Sequence, residues 1–291
     1  AVQFETIFMA PYLSIVKEKT SAPCILRQHN MESEIWERRA NREVNPLKKW
    51  YVKHLTKRLR DYEKKMLPKF DSIVWVTEHD LQKGKNESGH TPNFVVPSGV
   101  EIPIESSELK TNKNKWYHLG ALDWPPNLEA LMWFLKSVWP KMIEENRELE
   151  LHIAGRNCPN FLKKYKAKGV YVYGEIPNKE TFLVDKSVCL VPIKSGSGIR
   201  IKLLEAIANK KIVVSTEIGS QGIPKKLLKS TILANSAEGF ISAAKRVHDI
   251  DAKIIDEMKS NLIAEYSIQN TSLQMAKILF PSSDSSFLNK N

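Results

Sequence analysis

The feature that most constrains the fold is a repeated alternation between short apolar runs and segments with helical periodicity. The runs are rich in β-branched residues and span four to six positions, as in strands buried on both faces of a parallel sheet. Their alternation with helical segments predicts an α/β fold with right-handed crossovers. The predicted strands lie at 23–27, 73–77, 94–97, 116–119, 149–154, 170–173, 188–192, 212–215 and 231–234.

Three helices are predicted between the later strands. One begins after Asn127, where Pro125, Pro126 and Asn127 supply the stop and the cap. The others cover 199–209 and 237–249, where apolar residues recur at helical spacing.

A turn rich in proline and glycine at 94–103 divides the chain near residue 100. A length of 291 residues suits two domains. We expect a first domain at 1–98 with two or three strands and a complete second domain at 99–265 with six. A C-terminal helix and tail at 266–291 is expected to return toward the first domain.

Cysteine usage and hydropathy exclude several classes of protein. The three cysteines are scattered and lack CxxC spacing, which excludes a disulfide scaffold or a cysteine zinc site and suits a reducing cytoplasm. No uncharged stretch approaches the roughly 20 residues of a membrane-spanning helix. We therefore expect a cytoplasmic protein.

A glycine-rich loop between a strand and a helix is the strongest chemical signal. Gly196 and Gly198 let the backbone come close to a ligand, and the following helix N-terminus offers free N–H groups with a partial positive charge. Arg200 and Lys202 add formal charge, so the loop favours a phosphate or diphosphate. The alternative is an ordinary turn with solvated side chains.

The loop matches neither common nucleotide-binding fingerprint. Position 201 is isoleucine, so GxGxxG is absent, and the GK[ST] ending of a Walker A loop is also missing. These absences disfavour a nicotinamide dehydrogenase. Glu205 lies roughly two turns into the predicted helix. It could accept hydrogen bonds from a ribose diol or be a solvated helix residue.

The segment 196–223 resembles the donor-binding core of group-1 (family 4) glycosyltransferases. Five further segments resemble parts of the same family and stand in the expected order, so that the resemblance covers nearly the whole chain. They are 26–38 and 70–80 in the acceptor domain, 96–101 at the interdomain turn, 119–127 in the first donor-domain loop and 151–156 at the central donor-domain strand.

This resemblance implies the GT-B fold, in which two Rossmann-like domains face each other across a cleft and the second holds the nucleotide-sugar donor. It implies transfer of a hexose from a UDP- or GDP-linked sugar to a glycan or lipid-linked acceptor, with retention and without a metal ion or other cofactor. A bacterial enzyme of polysaccharide biosynthesis is expected. The first domain is expected to lack its initial strands, so the chain could bind donor without turnover.

The resemblance also implies roles for individual residues. Arg200 and Lys202 would neutralise the diphosphate, on which charge builds as the leaving group departs, and Glu205 would bind the ribose. His29 would bind the donor sugar or shape the acceptor pocket, with Glu32 as a weaker candidate beside it. The remaining donor contacts would be backbone N–H groups of Gly196, Ser197 and Gly198 at the diphosphate, Gly155 and Arg156 at the nucleotide, and Tyr173 and Ile176 at the base.

From the residues alone, His29 could be a surface polar group and Tyr173 a core aromatic. The chain also departs from the family pattern. Many members of the family have two glutamates with seven residues between them; here Glu205 fits the second position, but Ser197 occupies the first. The first donor-domain loop, 120–127, lacks the usual arginine and lysine, so the phosphate charge must fall on residues elsewhere, Arg200, Lys202 or Arg156.

Most of the net charge of +11 lies in one segment. Between positions 46 and 70 there are nine lysines and arginines against two acids, and the spacing predicts one helix of roughly 37 Å. Its predicted apolar stripe consists of residues 47, 51, 55, 59, 62 and 66. This helix is either an ordinary solvated surface helix or a contact with anionic membrane at the inner face, worth about 1 kcal/mol per basic residue.

Two other functions compete with glycosyl transfer. A nucleotide-sugar epimerase shares the GT-B scaffold. A non-catalytic nucleic-acid binder would use the basic helix, but aromatic interleaving and a DNA-binding motif are missing. We therefore expect no nucleic-acid partner.

Overall fold

The computed structural model describes residues 1–103, 112–195 and 200–281, which form two compact α/β units. The first unit comprises Ala1–Gly99 and the C-terminal segment from Ile268, and the second lies between Val100 and Ser267. Each unit contains one fully parallel sheet. The predicted parallel α/β class is confirmed.

The first unit has a four-stranded sheet in the order β1-β2-β3-β4. Its strands are β1 (Val2–Glu5), β2 (Cys24–Gln28), β3 (Ser72–Trp75) and β4 (Asn93–Val95). Its helices are α1 (Leu13–Lys19), α2 (Glu32–Arg42), α3 (Pro46–Met66), α4 (Glu78–Gly84) and α12 (Ile268–Leu279), with 3₁₀ turns at Ile7–Tyr12 and Leu67–Lys69.

The expectation of two or three strands in this unit was wrong, because β1 escaped detection. It is a short edge strand in which only Phe4 is buried, so it lacks the continuous apolar run of a central strand. Phe4 packs edge-to-face against Phe70, with ring centroids 5.4 Å apart.

Alternate residues of β2 and β3 build cores on the two faces of this sheet. Leu26 and Ile73 belong to the cluster that also contains the β1 and α1 side chains. Ile25 and Val74 lie on the other face, where they pack with α12. The alternation follows from the two-residue period of a strand.

The prediction for 46–70 was wrong in two respects. The α-helix ends at Met66 and Leu67–Lys69 continues as a 3₁₀ turn, because Pro68 lacks the backbone N–H that the next α-helical hydrogen bond would need. The buried side of α3 consists of Val52, Thr56 and Glu63, whereas the predicted stripe begins with exposed residues. Packing against α2 selects the buried side, and the Glu63 carboxylate accepts a hydrogen bond from the Glu32 backbone N–H at 2.8 Å.

The second unit has a six-stranded sheet in the order β10-β9-β8-β5-β6-β7. The strands are β5 (Lys115–Leu119), β6 (Glu150–Ala154), β7 (Val170–Gly174), β8 (Val188–Val191), β9 (Ile212–Ser215) and β10 (Thr231–Leu233). The helices are α5 (Pro125–Ser137), α6 (Trp139–Glu145), α7 (Asn160–Lys163), α8 (Lys179–Leu183), α9 (Ile201–Ala208), α10 (Ala237–Arg246) and α11 (Ala252–Tyr266).

The chain path through this sheet reverses beside β5. From β5 the chain runs outward through β6 to β7, then returns to β8 on the opposite side of β5. The reversal creates a switch point between β5 and β8, where connections leave in opposite directions and open a crevice at the carboxyl edge. None of the described helices is long and apolar enough to cross a bilayer.

Candidate functional site

The carboxyl edge of the second sheet, at the switch point, brings together segments that are far apart in sequence. Gly120 follows β5, and α9 begins at Ile201 after β8. The predicted phosphate-loop residues Gly196, Ser197 and Gly198 lie outside the described residues. Arg200 stands directly before α9, at its N-cap position. The described part of the site consists of side chains at the carboxyl ends of β5 and β6 and in α9.

Lys202 lies in the first turn of α9 and reaches the loop after β5. Its Nζ donates a hydrogen bond to Asn127 Oδ1 at 2.9 Å. It also lies close to Gly120, where an added Cβ would come within 2.9 Å of Nζ. Burial, together with the charge of Arg200, lowers the pKa of Lys202 to about 8. An ammonium in this setting gains from an anionic ligand that restores its counter-charge.

Asn127 holds Lys202 rather than capping α5, so the predicted helix cap was wrong. Pro125 takes the first helical position, where its missing N–H needs no partner, and no side chain caps this end. Asn127 is thereby shifted into the first turn. Its amide Nδ2 donates to the Ala121 carbonyl at 2.8 Å, which leaves its oxygen for Lys202.

Glu205 lies about one turn beyond Lys202 on α9. Its Oε1 accepts a hydrogen bond from Lys179 Nζ of α8 at 2.9 Å. Both side chains line a small recess with a volume of about 10 Å³. Its other lining residues are Tyr117, Leu119, Leu183, Cys189 and Lys202. Ribose binding by Glu205 stays a prediction, and Lys179 is a partner that the sequence did not reveal.

His118 of β5 is fully buried beside the switch point. Its Nδ1 lies 3.0 Å from the Leu190 carbonyl oxygen of β8, so the ring donates across the two strands. Burial, helped by the charge of Lys202, lowers the pKa of His118 to about 3. The imidazole is therefore neutral, and it adds no positive charge against Lys202. No sequence signal singled it out.

Position 155 needs a glycine for packing, whether or not Gly155 also contacts a nucleotide. Its φ is +155°, and an added Cβ would lie 1.6 Å from the Gly120 carbonyl oxygen. Two glycines thus let the ends of β5 and β6 approach closely. The side chain of Arg156, the next residue, is exposed, while its carbonyl accepts from the Leu122 N–H at 2.9 Å.

Tyr173, predicted to lie at the base, sits near the end of the edge strand β7 and is half exposed. Its hydroxyl lies 2.9 Å from His152 Nδ1, and its ring packs edge-to-face against Phe182 at 5.4 Å. Ile176 follows in the next turn and is partly buried. Base binding by these two residues stays a prediction.

His29 lies in the first unit, directly after β2. Its Nε2 is 2.7 Å from Glu5 Oε2 at the end of β1, and Arg27 Nη1 is 3.7 Å from the other oxygen of the same carboxylate. Burial raises the pKa of Glu5, but hydrogen bonds from His29 and Gln3 outweigh it, so that the net shift is downward. Glu5, on the undetected strand, orients the predicted histidine.

The backbone contact of Glu32 is structural and lies within the first unit. Its N–H is held by the buried carboxylate of Glu63, and burial together with the charge of Glu63 raises the pKa of Glu32. Among the described residues, no group of three or more histidine, cysteine or acidic side chains is placed to hold a metal ion.

Solved structures define the class of fold. The chain superposes on TarM of S. aureus with a TM-score of 0.64 at 14% identity, over 94% of this chain and 58% of TarM. It superposes on Anabaena Alr3699/HepE, solved in complex with UDP, with a TM-score of 0.67 at 10% identity, over 96% of this chain and 79% of that one. The chain therefore has the fold of the GT-B glycosyltransferases.

Sequence comparison adds a match to a protein family. Residues 113–250, just under half of the chain, match the family model described as glycosyl transferases group 1. A curated relative, an uncharacterized 44.6 kDa protein in the cps region of Klebsiella pneumoniae, is 27% identical over 252 residues. That alignment covers 80% of this chain and 63% of the relative, so the chain spans about three fifths of the relative's length.

Proposed function

We propose that this chain acts in a glycosyltransferase that moves a hexose from a UDP- or GDP-linked donor to a glycan or lipid-linked acceptor. The proposal includes retention of anomeric configuration and independence from a metal ion or other cofactor. The observation that carries it is the part-buried ammonium of Lys202, hydrogen-bonded to Asn127 Oδ1 at 2.9 Å beside the switch point.

The chemistry follows from charge. When the bond between the sugar and the diphosphate of the donor breaks, negative charge develops on the departing diphosphate, and preorganised cations lower the barrier most effectively there. Lys202 is already fixed by Asn127, so little reorganisation is needed when the charge appears. Arg200 stands before the same helix, and the eight-residue helix α9 adds the partial positive charge of its N-terminus.

Two further groups complete the proposed donor and acceptor chemistry. Glu205 would exchange its bond with Lys179 for the ribose hydroxyls, since a carboxylate accepts from both. His29, oriented by Glu5, would contact the donor sugar or the acceptor hydroxyl.

Relatives support the choice of donor and process. The HepE structure contains UDP, and a trehalose-6-phosphate synthase structure from E. coli contains UDP-2-fluoro glucose. The Klebsiella relative is named for the cps region, which supports a bacterial role in polysaccharide synthesis. A cytoplasmic position at the inner face of the membrane is part of the same proposal.

Isothermal titration calorimetry with UDP and GDP tests donor binding. We expect heat with one of them and a loss of roughly 10- to 150-fold in affinity for Lys202→Met, since a charge-assisted hydrogen bond contributes about 1.5–3 kcal/mol. Lys164→Met, which removes an exposed lysine after α7, is the matched control. No heat with either nucleotide would refute the proposal.

Incubation with a radiolabelled donor then separates the enzymatic alternatives. A transferase moves label to an acceptor glycan, with EDTA having no effect, whereas an epimerase alters the donor without acceptor. Donor binding with neither reaction would identify the chain as a binding fragment.

A further inference from the structure

The beginning of α3 presents large apolar side chains to solvent. Val44, just before the helix, is 92% exposed, and Leu47, Trp50 and Tyr51 are 80%, 69% and 55% exposed. These four residues form what we call the tip patch, because they lie where the α2–α3 hairpin turns. Exposed apolar residues clustered in one place mark an interaction surface rather than ordinary surface scatter.

The helix directs the tip patch away from the body of its unit. The helical members of the patch and His54 follow the spacing i, i+3, i+4 and i+7, and the Trp50 ring stacks on His54 with centroids 6.1 Å apart. The buried residues Val52, Thr56 and Glu63 lie on nearly the opposite face, about 170° away at 3.6 residues per turn. Packing of α3 against α2 therefore keeps the patch in solvent.

The hairpin that carries the patch is held at several points. Asn45 Oδ1 accepts from the Lys48 N–H at 3.1 Å and caps α3, with Pro46 in the first turn. Arg60 pairs with Glu37 of α2 at 2.8 Å. The patch is thus a preformed surface on a rigid element.

The charge around the tip patch indicates what kind of partner would bind it. From Val44 to Arg60 there are six lysines and arginines and no acidic residue, and exposed cations such as Lys53, Lys57 and Arg58 flank the patch. Interfacial helices combine aliphatic and aromatic side chains with basic ones in this way, with ammonium groups at lipid phosphates. A single-stranded nucleic acid would use the cations and aromatic rings but leave Val44 and Leu47 in water.

We propose that the tip patch docks this chain on an anionic lipid bilayer, with the four apolar side chains in the headgroup region and the flanking lysines at the phosphates. This surface belongs wholly to the first unit and is independent of nucleotide binding in the second. It would place the chain at the surface where a lipid-linked acceptor resides.

Co-sedimentation of the whole chain with extruded vesicles tests the role of the lysines that flank the tip patch. Vesicles of phosphatidylcholine alone and with added phosphatidylglycerol are compared at low and high salt. We expect partitioning to the anionic vesicles only, and a loss of about thirtyfold in Lys53→Gln/Lys57→Gln. Lys164→Gln/Lys166→Gln, an exposed pair in the second unit, should bind like the unmodified chain.

A second pair of matched variants tests the apolar side chains of the tip patch. Trp50→Ser should lose at least about tenfold in partitioning, whereas Phe161→Ser, which removes a side chain that is 55% exposed on α7, should lose nothing. Thermal melting checks that the variants fold, and UDP titration checks that nucleotide binding is unchanged.

Equal binding to neutral and anionic vesicles, or no difference between the Trp50 and Phe161 variants, would overturn the proposal. Binding of a single-stranded oligonucleotide without vesicle binding would assign the surface to nucleic acid and also refute it. Failure of nucleotide binding alone would leave the docking result intact, because the two readouts belong to different units.

Discussion

Replacing Lys202 by methionine should stabilise the folded chain while weakening nucleotide binding. The pKa of Lys202 is lowered from 10.5 to about 8, which corresponds to about 3 kcal/mol of unfavourable free energy for the charged form in the folded state. Methionine has a similar length and carries no charge, so it removes that penalty.

Part of this gain is offset by a lost hydrogen bond. Asn127 Oδ1 loses its partner at 2.9 Å, which costs about 1 kcal/mol. The net expectation at pH 7 is about 2 kcal/mol of added stability. This corresponds to a rise of roughly 4–8 °C in the melting temperature of a domain of this size.

The pH dependence gives a second readout. The unfolded chain keeps Lys202 protonated up to pH 10.5, whereas the folded chain releases the proton near pH 8. Between these values the unfolded state binds more protons, so the stability of the unmodified chain rises with pH. The advantage of Lys202→Met is therefore full at pH 7 and disappears as the pH rises from 8 to 10.5.

Nucleotide binding should reverse the lowering of the Lys202 pKa. A diphosphate favours the charged ammonium and raises the pKa of Lys202, so binding near pH 8 takes up a fraction of a proton. Calorimetry in two buffers with different ionisation enthalpies measures this uptake, which Lys202→Met should abolish. A variant that is less stable at pH 7 and binds UDP with unchanged affinity would refute the reasoning.

Other perturbations test the packing that positions the site. Gly155→Ala should destabilise the chain by more than about 2 kcal/mol in thermal denaturation, because its Cβ would lie 1.6 Å from the Gly120 carbonyl oxygen. Gly174→Ala, with a φ of +72° but no atom closer than 3.7 Å, should lose only about 1 kcal/mol, and equal losses would contradict this. Glu63→Ala should lose about 2 kcal/mol, because the Glu32 N–H loses its buried acceptor; a melt unchanged from the unmodified chain would show that water replaces it.

The predicted strands of the second unit could be found from sequence because their signal is local. Successive residues of β8 such as Val188, Cys189 and Leu190 point to opposite faces of a parallel sheet and are all buried, so their run is continuously apolar. An edge strand like β1 gives a weaker pattern, since only Phe4 points to a core. The strand β1 therefore carries little of the signal that a fully buried strand such as β8 gives.

The helix at 46–70 shows where sequence patterns mislead. Its leucines and tyrosines gave a plausible stripe, yet Leu47 and Tyr51 are exposed while the carboxylate of Glu63 is buried. The reason is that α2 packs on that side, where its N-terminal N–H groups, which have no acceptor within their own helix, donate to the Glu63 carboxylate. No pattern within α3 carries information about the end of another helix.

The sequence by itself determined the α/β class, the glycine-rich loop, the basic segment and the candidate cations Arg200 and Lys202. These features depend on residues that are neighbours along the chain. The tertiary structure decided that Lys202 meets Asn127, 75 positions away, at the loop after β5, which lacks basic side chains of its own. The physical reason is the parallel sheet, because its switch point brings the carboxyl ends of β5 and β8 together whatever their separation in sequence.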